Sequence, residues 1–276
     1  MSEPATKKRK IFNFESFSAP LKIIVGKTKQ EFYVKKDLVC EGSKFFRAAC
    51  KEHWESGTNN LVTLDEDDPG IFAIFVVWLL TGEINSCEYL IQKPTSDPRP
   101  LVPAITSFAQ RKIAQEKKIM HIDNQLHQLF ECYYLDDSIQ AQSFQNYIMD
   151  RILQKGKARL DVRKAYRNKQ KPLPLPSGPD ELSEIYQKTT AGSCLRKFLV
   201  EYRLCDGSEI NAEDIEQFIR LNCHEYVSEI LAASTKYYNM RKKALSFYEQ
   251  DCCHFHVHES IEVMKSQPTI VLPDDL

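Results

Sequence analysis

The 276-residue sequence has no apolar run longer than the ten residues from Ile71 to Leu80, whereas a helix that spans a bilayer takes about 20. No membrane helix is expected. Residues 1–14, MSEPATKKRKIFNF, lack the apolar stretch and small-residue cleavage site of a secretory signal, so the reading is a nuclear or cytoplasmic protein that is not secreted. Nine cysteines are scattered with no CxxC pair, which argues against a disulfide framework and for reduced, mostly buried thiols. Only nine glycines are available for building substrate loops. The 37 basic and 38 acidic residues cancel, so no whole-molecule field draws nucleic acid or anionic lipid, and neither is expected as a partner.

What is present is the usage of an ordinary globular chain, 42% apolar and 27% charged, long enough for one large domain or two modest ones. Near the N-terminus, Lys7, Lys8, Arg9 and Lys10 form a cationic cluster that reads either as a nuclear-import signal or as a solvated tail. Ile11, Phe12, Phe14 and Phe17 follow, apolar surface on a stretch too short to form its own core, which must dock on something.

LKIIVG and QEFYV read as a β-hairpin turning at Gly26. KKDLVCEGSKFFRAAC places two short helices next, the second capped by Ser43 with Phe45, Phe46 and Ala49 at helical spacing. NLVTLDED is a third strand through Leu61 and Leu64. Asp68 and Pro69 then open a helix apolar almost all round, which predicts enclosure on every side, and Gly82 closes it. The proline-rich QKPTSDPRPLVP is a loop, and two helices follow, the second carrying Phe144, Ile148 and Ile152 and stopping at Gly156. From Lys155 to Lys171 eight basic residues face one acidic residue, and four prolines come after, the pattern of a linker. Two short helices precede NAEDIEQFIRLNCHEYVSEILAAS, which reads as one long amphipathic helix with the stripe Ile215, Ile219, Cys223, Val227 and Leu231.

Catalytic signatures are thin. Gly26, Lys27 and Thr28 imitate the end of a phosphate loop, but Leu21 stands where its first glycine is needed. His224 and Glu225 begin a zinc-protease motif whose second histidine is replaced by Ser228. The stretch DCCHFHVHE gathers the candidate ligands Cys252, Cys253, His254, His256 and His258, with the histidines on one face if it is extended. Tetrahedral sites generally draw ligand pairs from two separated segments, and no second Cys/His pair is apparent. No nucleophilic grouping stands out either. The expectation is therefore a non-enzyme without cofactor or metal.

EFYVKKDLVCEGSKFFRAAC resembles the BTB/POZ signature, in which a strand leads into a helix pair ending in Ser, Phe and Phe. NLVTLDEDDPGIFAIFVVWLLTGEI is similar to the same family's strand, acidic-Pro helix start and TG-closed helix. LSEIYQKTTAGSCLRKFLVEY is similar to the extension of the short BTB proteins of filamentous fungi. The resemblance implies an α+β fold, a BTB/POZ-like domain with a small sheet flanked by helices, followed by an all-helical C-terminal region. The expected division is a flexible tail at 1–18, the BTB/POZ domain at 19–155, a basic, proline-rich linker at 156–180, a helical region at 181–265 and a tail at 266–276. It implies a protein-interaction module that forms homo- or hetero-oligomers, a scaffold or regulatory adaptor. The apolar surface of Ile11 to Phe17 reads either as helping the hairpin to form a self-contact or as a cover for the domain's own core. Some relatives bring substrates to cullin-type ubiquitin ligases. They tend to carry a hydrophobic residue, any residue, then Glu, and Phe72, Ala73 and Ile74 stand at the matching place, with the glutamate missing.

Overall fold

A computed structural model describes residues 20–51, 60–84, 108–165, 179–206, 212–239 and 247–258. The fold is α+β, mostly helical with one small sheet. The chain divides into two compact units, residues 1–93 with 138–141, and residues 94–137 with 142–276.

In the first unit, strands β1 (Pro20–Val25) and β2 (Gln30–Lys35) form the expected antiparallel hairpin. Gly26 turns it at φ 72°, a left-handed conformation that a side chain resists. A methyl group there would meet the Asp67 carbonyl oxygen at 2.9 Å. Helices α1 (Lys36–Gly42) and α2 (Lys44–Ala49) follow, then β3 (Leu61–Leu64), which pairs parallel to β1 and gives the strand order β2-β1-β3. Alternation sorts the sheet. Leu21, Ile23, Val25, Val34, Val62 and Leu64 are buried on one face, and Tyr33, Lys22 and Leu61 form a row across the other.

Ser43 serves two elements at once. Its hydroxyl oxygen accepts from the Phe46 N–H at 3.1 Å, capping α2, and its O–H donates to the Ile139 carbonyl at 2.5 Å. Helix α3 (Pro69–Thr81) begins as expected, with Asp68 accepting from the Gly70 and Ile71 N–H groups and Pro69 in the first turn, and ends on Gly82 at φ 79°. Its enclosure is only partial. Ile71, Phe72, Ile74 and Phe75 are buried, but Val76, Val77, Trp78 and Leu79 are half-buried and Leu80 is 67% exposed. Packing against α1 continues along one side as far as Leu79, whose Cδ2 occupies the place that a Cβ on Gly42 would need.

The second unit holds helices α4 (Phe108–Ile139), whose last residues fall in the first unit, α5 (Gln142–Ala165), α6 (Pro179–Lys188), α7 (Cys194–Asp206), α8 (Ala212–Arg220) and α9 (His224–Asn239). Two expectations fail here. Helix α5 does not stop at Gly156. Residues 156–165, assigned from sequence to a linker, continue it, with Gly156, Leu160 and Val162 on a buried face. Arg159 is the physical reason: only 2% exposed, its guanidinium donates to both Asp123 carboxylate oxygens at 2.6 and 3.3 Å and to the Tyr202 hydroxyl at 3.1 Å. One residue of an apparently solvated basic run is thus a buried, neutralised tie to α4 and α7. The tie lies within the second unit, which groups the bodies of α4 and α5 with the C-terminal helices.

The second failure is the helix expected over residues 211–234, which is two helices. Asn222 adopts φ 57°, and the Cys223 N–H bonds the Phe218 carbonyl at 2.8 Å, a left-handed helix stop built on asparagine instead of glycine. Arg196, nearly buried, closes the end of α6. It donates to the Tyr186 carbonyl at 2.6 Å and to the Thr189 carbonyl, and pairs with Glu225 at the start of α9.

Candidate interaction surface and C-terminal strap

In the first unit, the unusual surface is the C-terminal half of α3, where no polar residue interrupts the run to Leu80 yet the side chains meet water. A helix of this composition is stable when enclosed, and exposing it costs about 25 cal/mol for each Å² of apolar surface left in contact with water. On the sheet's outer face Tyr33 is 62% exposed, although its hydroxyl donates to Glu31 at 2.8 Å and Lys22 pairs with Glu31 at 2.6 Å.

Phe72 and Ile74, expected to face a partner, do neither. Phe72 is fully enclosed, with ring centroids at 5.0 Å from Phe32, 6.2 Å from Phe46 and 5.9 Å from Phe75, and Ile74 is 1% exposed. Both are core residues, placed there by helical phase: positions 71, 72, 74 and 75 share the face turned to the sheet and α2. Ile11, Phe12, Phe14 and Phe17, like Lys7, Lys8, Arg9 and Lys10, lie outside the described residues.

Two thiols meet on the α1–α2 pair. Burial and the neighbouring Cys50 thiol push the Cys40 thiol up to about 12, and the Cys40 thiol lies 3.5 Å from the Phe46 carbonyl. A thiol so raised is a poor nucleophile at neutral pH.

In the second unit, residues 250–258 form a strap over α5 and α7. A 3₁₀ turn, Cys252–Phe255, is capped by Asp251 and seats Phe255 in the core, and an extended stretch follows. The Asn146 side chain grips the Val257 backbone in both directions, accepting from its N–H at 2.9 Å and donating to its carbonyl at 3.0 Å, and Gln142 adds a bond to that carbonyl at 2.8 Å. Lys197 donates to the His254 carbonyl at 2.7 Å. Among the candidate ligands, His254 and His256 are thereby held by different partners, and the Cys252 side chain lies outside what the structure describes. His254 Nε2 meets Glu201 at 2.7 Å, His256 Nε2 meets Asp150 at 2.9 Å, and only His256 and His258 share a face, with ring centroids 5.9 Å apart. Among the described residues no group of three or more His, Cys, Asp or Glu is placed to hold a metal, and no helix is long and apolar enough to cross a membrane.

The helix break at Asn222 creates one feature that the sequence reading missed. Ile215, Phe218, Val227, Ile230 and Leu231, with Arg203 and Leu204 of α7, line a groove of about 350 Å³. Of the expected stripe, Ile215, Val227 and Leu231 reach it, Cys223 is buried, and Ile219 is turned to solvent. Asparagine three residues beyond Ile219 was the available signal for the break. No family model matches the chain.

Proposed function

We infer that this chain is a non-enzymatic interaction protein, a BTB/POZ-like module that self-associates and serves as a scaffold or regulatory adaptor. The observation that carries this reading is the apolar end of α3, Val76 to Leu80, left half-buried to exposed in a helix whose composition calls for enclosure. A second copy presenting the same patch covers both at once, as a two-fold contact requires. The order of elements supports it: hairpin, helix pair, parallel third strand, then a helix entered by Asp-Pro and closed by Thr-Gly follow the sequence signature of that family. In this reading Ile11, Phe12, Phe14 and Phe17 add apolar surface to the contact, the KKRK cluster at residues 7–10 is a candidate import signal, and neither nucleic acid nor a membrane is a partner. The cullin-adaptor alternative draws no support from residues 72–74, since a partner cannot read a side chain turned into the core.

Light scattering of the full chain tests the reading. The unaltered chain gives a dimer mass, and the triple variant F12S/F14S/F17S shifts it toward the single chain. An unaltered chain that scatters as a monomer at all accessible concentrations removes the proposal.

A further inference from the structure

The strap leaves two imidazole nitrogens unanswered. His256 Nδ1 and His258 Nε2 are both buried and have no hydrogen-bond partner. Buried polar atoms of this kind are rare, and an ion or water that satisfies them is one of the recognised reasons. The His256 side chain is 5% exposed, and its Nε2 is committed to Asp150 at 2.9 Å. Because a carboxylate only accepts, Nε2 carries a proton, and in the tautomer that leaves Nδ1 bare its lone pair points away from Asp150. The extended backbone after the turn puts residues 256 and 258 on one side and Val257, 40% exposed, on the other. With a metal–nitrogen bond of about 2 Å and about 1.2 Å from nitrogen to ring centre, two rings on one ion have centres about 5.2 Å apart at a tetrahedral angle and about 6.4 Å apart when opposed, and the 5.9 Å between these two centroids falls inside that range.

We propose that His256 Nδ1 and His258 Nε2 together bind one imidazole-preferring first-row metal ion of the Zn²⁺ class, with Asp150 as the carboxylate behind His256. Histidine ligands commonly donate their second N–H to a carboxylate, which fixes the tautomer and raises the basicity of the coordinating nitrogen. That arrangement is already built here, on α5, with the Asn146 grip on Val257 holding the two rings in place. Cys253 and His254 take no part: the His254 ring is held by Glu201 on α7. With two protein ligands the remaining coordination positions go to water, so affinity falls below that of a four-ligand structural site.

The test is a Zn²⁺ titration of the full, reduced chain against a chromogenic chelator, with thermal unfolding followed with and without Zn²⁺. The unaltered chain binds one equivalent more than either His258→Gln or His256→Gln, and its melting temperature rises with Zn²⁺ while that of His258→Gln does not. His254→Gln keeps the equivalent, and Asp150→Asn weakens it by about 10- to 100-fold. Comparing each variant with and without Zn²⁺ removes any effect of the substitution on folding itself. Equal stoichiometry and affinity in the unaltered chain and His258→Gln, or a melting temperature of the unaltered chain indifferent to Zn²⁺, overturns the proposal, and zinc held elsewhere by cysteines gives that result.

Discussion

Asp123→Asn and Arg159→Met perturb the same buried ion pair, and the structure predicts that they differ. Asp123 is partly open to water, whereas the Arg159 side chain is 2% exposed. Replacing the carboxylate with a neutral amide of the same shape takes the Asp123 charge away from a guanidinium that is 2% exposed. Removing one partner of such a pair costs about 3 to 5 kcal/mol, and the partial exposure of Asp123 places this case at the lower end, about 3 kcal/mol. Arg159→Met removes the charge along with the need for it, keeps most of the buried volume, and leaves the Tyr202 hydroxyl without its donor, a cost of about 1 to 2 kcal/mol. Urea unfolding followed by far-ultraviolet circular dichroism measures both, and hydrogen exchange of the amides at 156–165 reports on the same helix end. The reasoning is refuted if Arg159→Met is the more damaging change, or if those amides exchange freely in the unaltered chain.

Gly26→Ala forces a side chain into φ 72° against the Asp67 carbonyl and destabilises the first unit by about 1 to 3 kcal/mol, measurable as a lower urea midpoint of Trp fluorescence. Burial raises the Asp67 carboxyl above its ordinary 3.8, more than the hydroxyl of Ser138 lowers it. The folded state therefore holds that proton more tightly than the unfolded state, so the contribution of Asp67 is most favourable below 3.8 and declines as pH rises to the raised folded value. Asp67→Asn accordingly gains stability relative to the unaltered chain across that window, and identical pH profiles of the two would contradict the assignment. Cys40, with its thiol pushed up to about 12, is alkylated by iodoacetamide far more slowly in the folded chain at pH 8 than in urea, as peptide mass spectrometry will read; equal rates would count against its burial beside Cys50.

Local chemistry made the first unit legible in the sequence. Gly26, Ser43, the Asp68–Pro69 pair and Gly82 each impose a turn or cap within a few residues of themselves, and all four act in the structure as the sequence indicates. Features set by distant partners were not legible. Arg159 looks solvated until Asp123 and Tyr202, 36 and 43 residues away, are brought to it. Ile74 looks readable by a partner until helical phase turns it toward the sheet. The histidine cluster shows the same limit: composition marks five ligands, but which ring nitrogens are taken by a carboxylate and which are left without a partner depends on Asn146, Asp150 and Glu201 elsewhere in the chain.

The measurement that bears most directly on the interaction reading is sedimentation equilibrium of the full chain over a wide concentration range, beside Leu80→Lys. Leu80 is exposed in the single chain, so a lysine there leaves folding intact while placing like charges opposite each other in a two-fold contact. The account predicts a reversible dimer for the unaltered chain and a monomer for Leu80→Lys. A dimer of equal affinity in both, or a monomer in both, contradicts it.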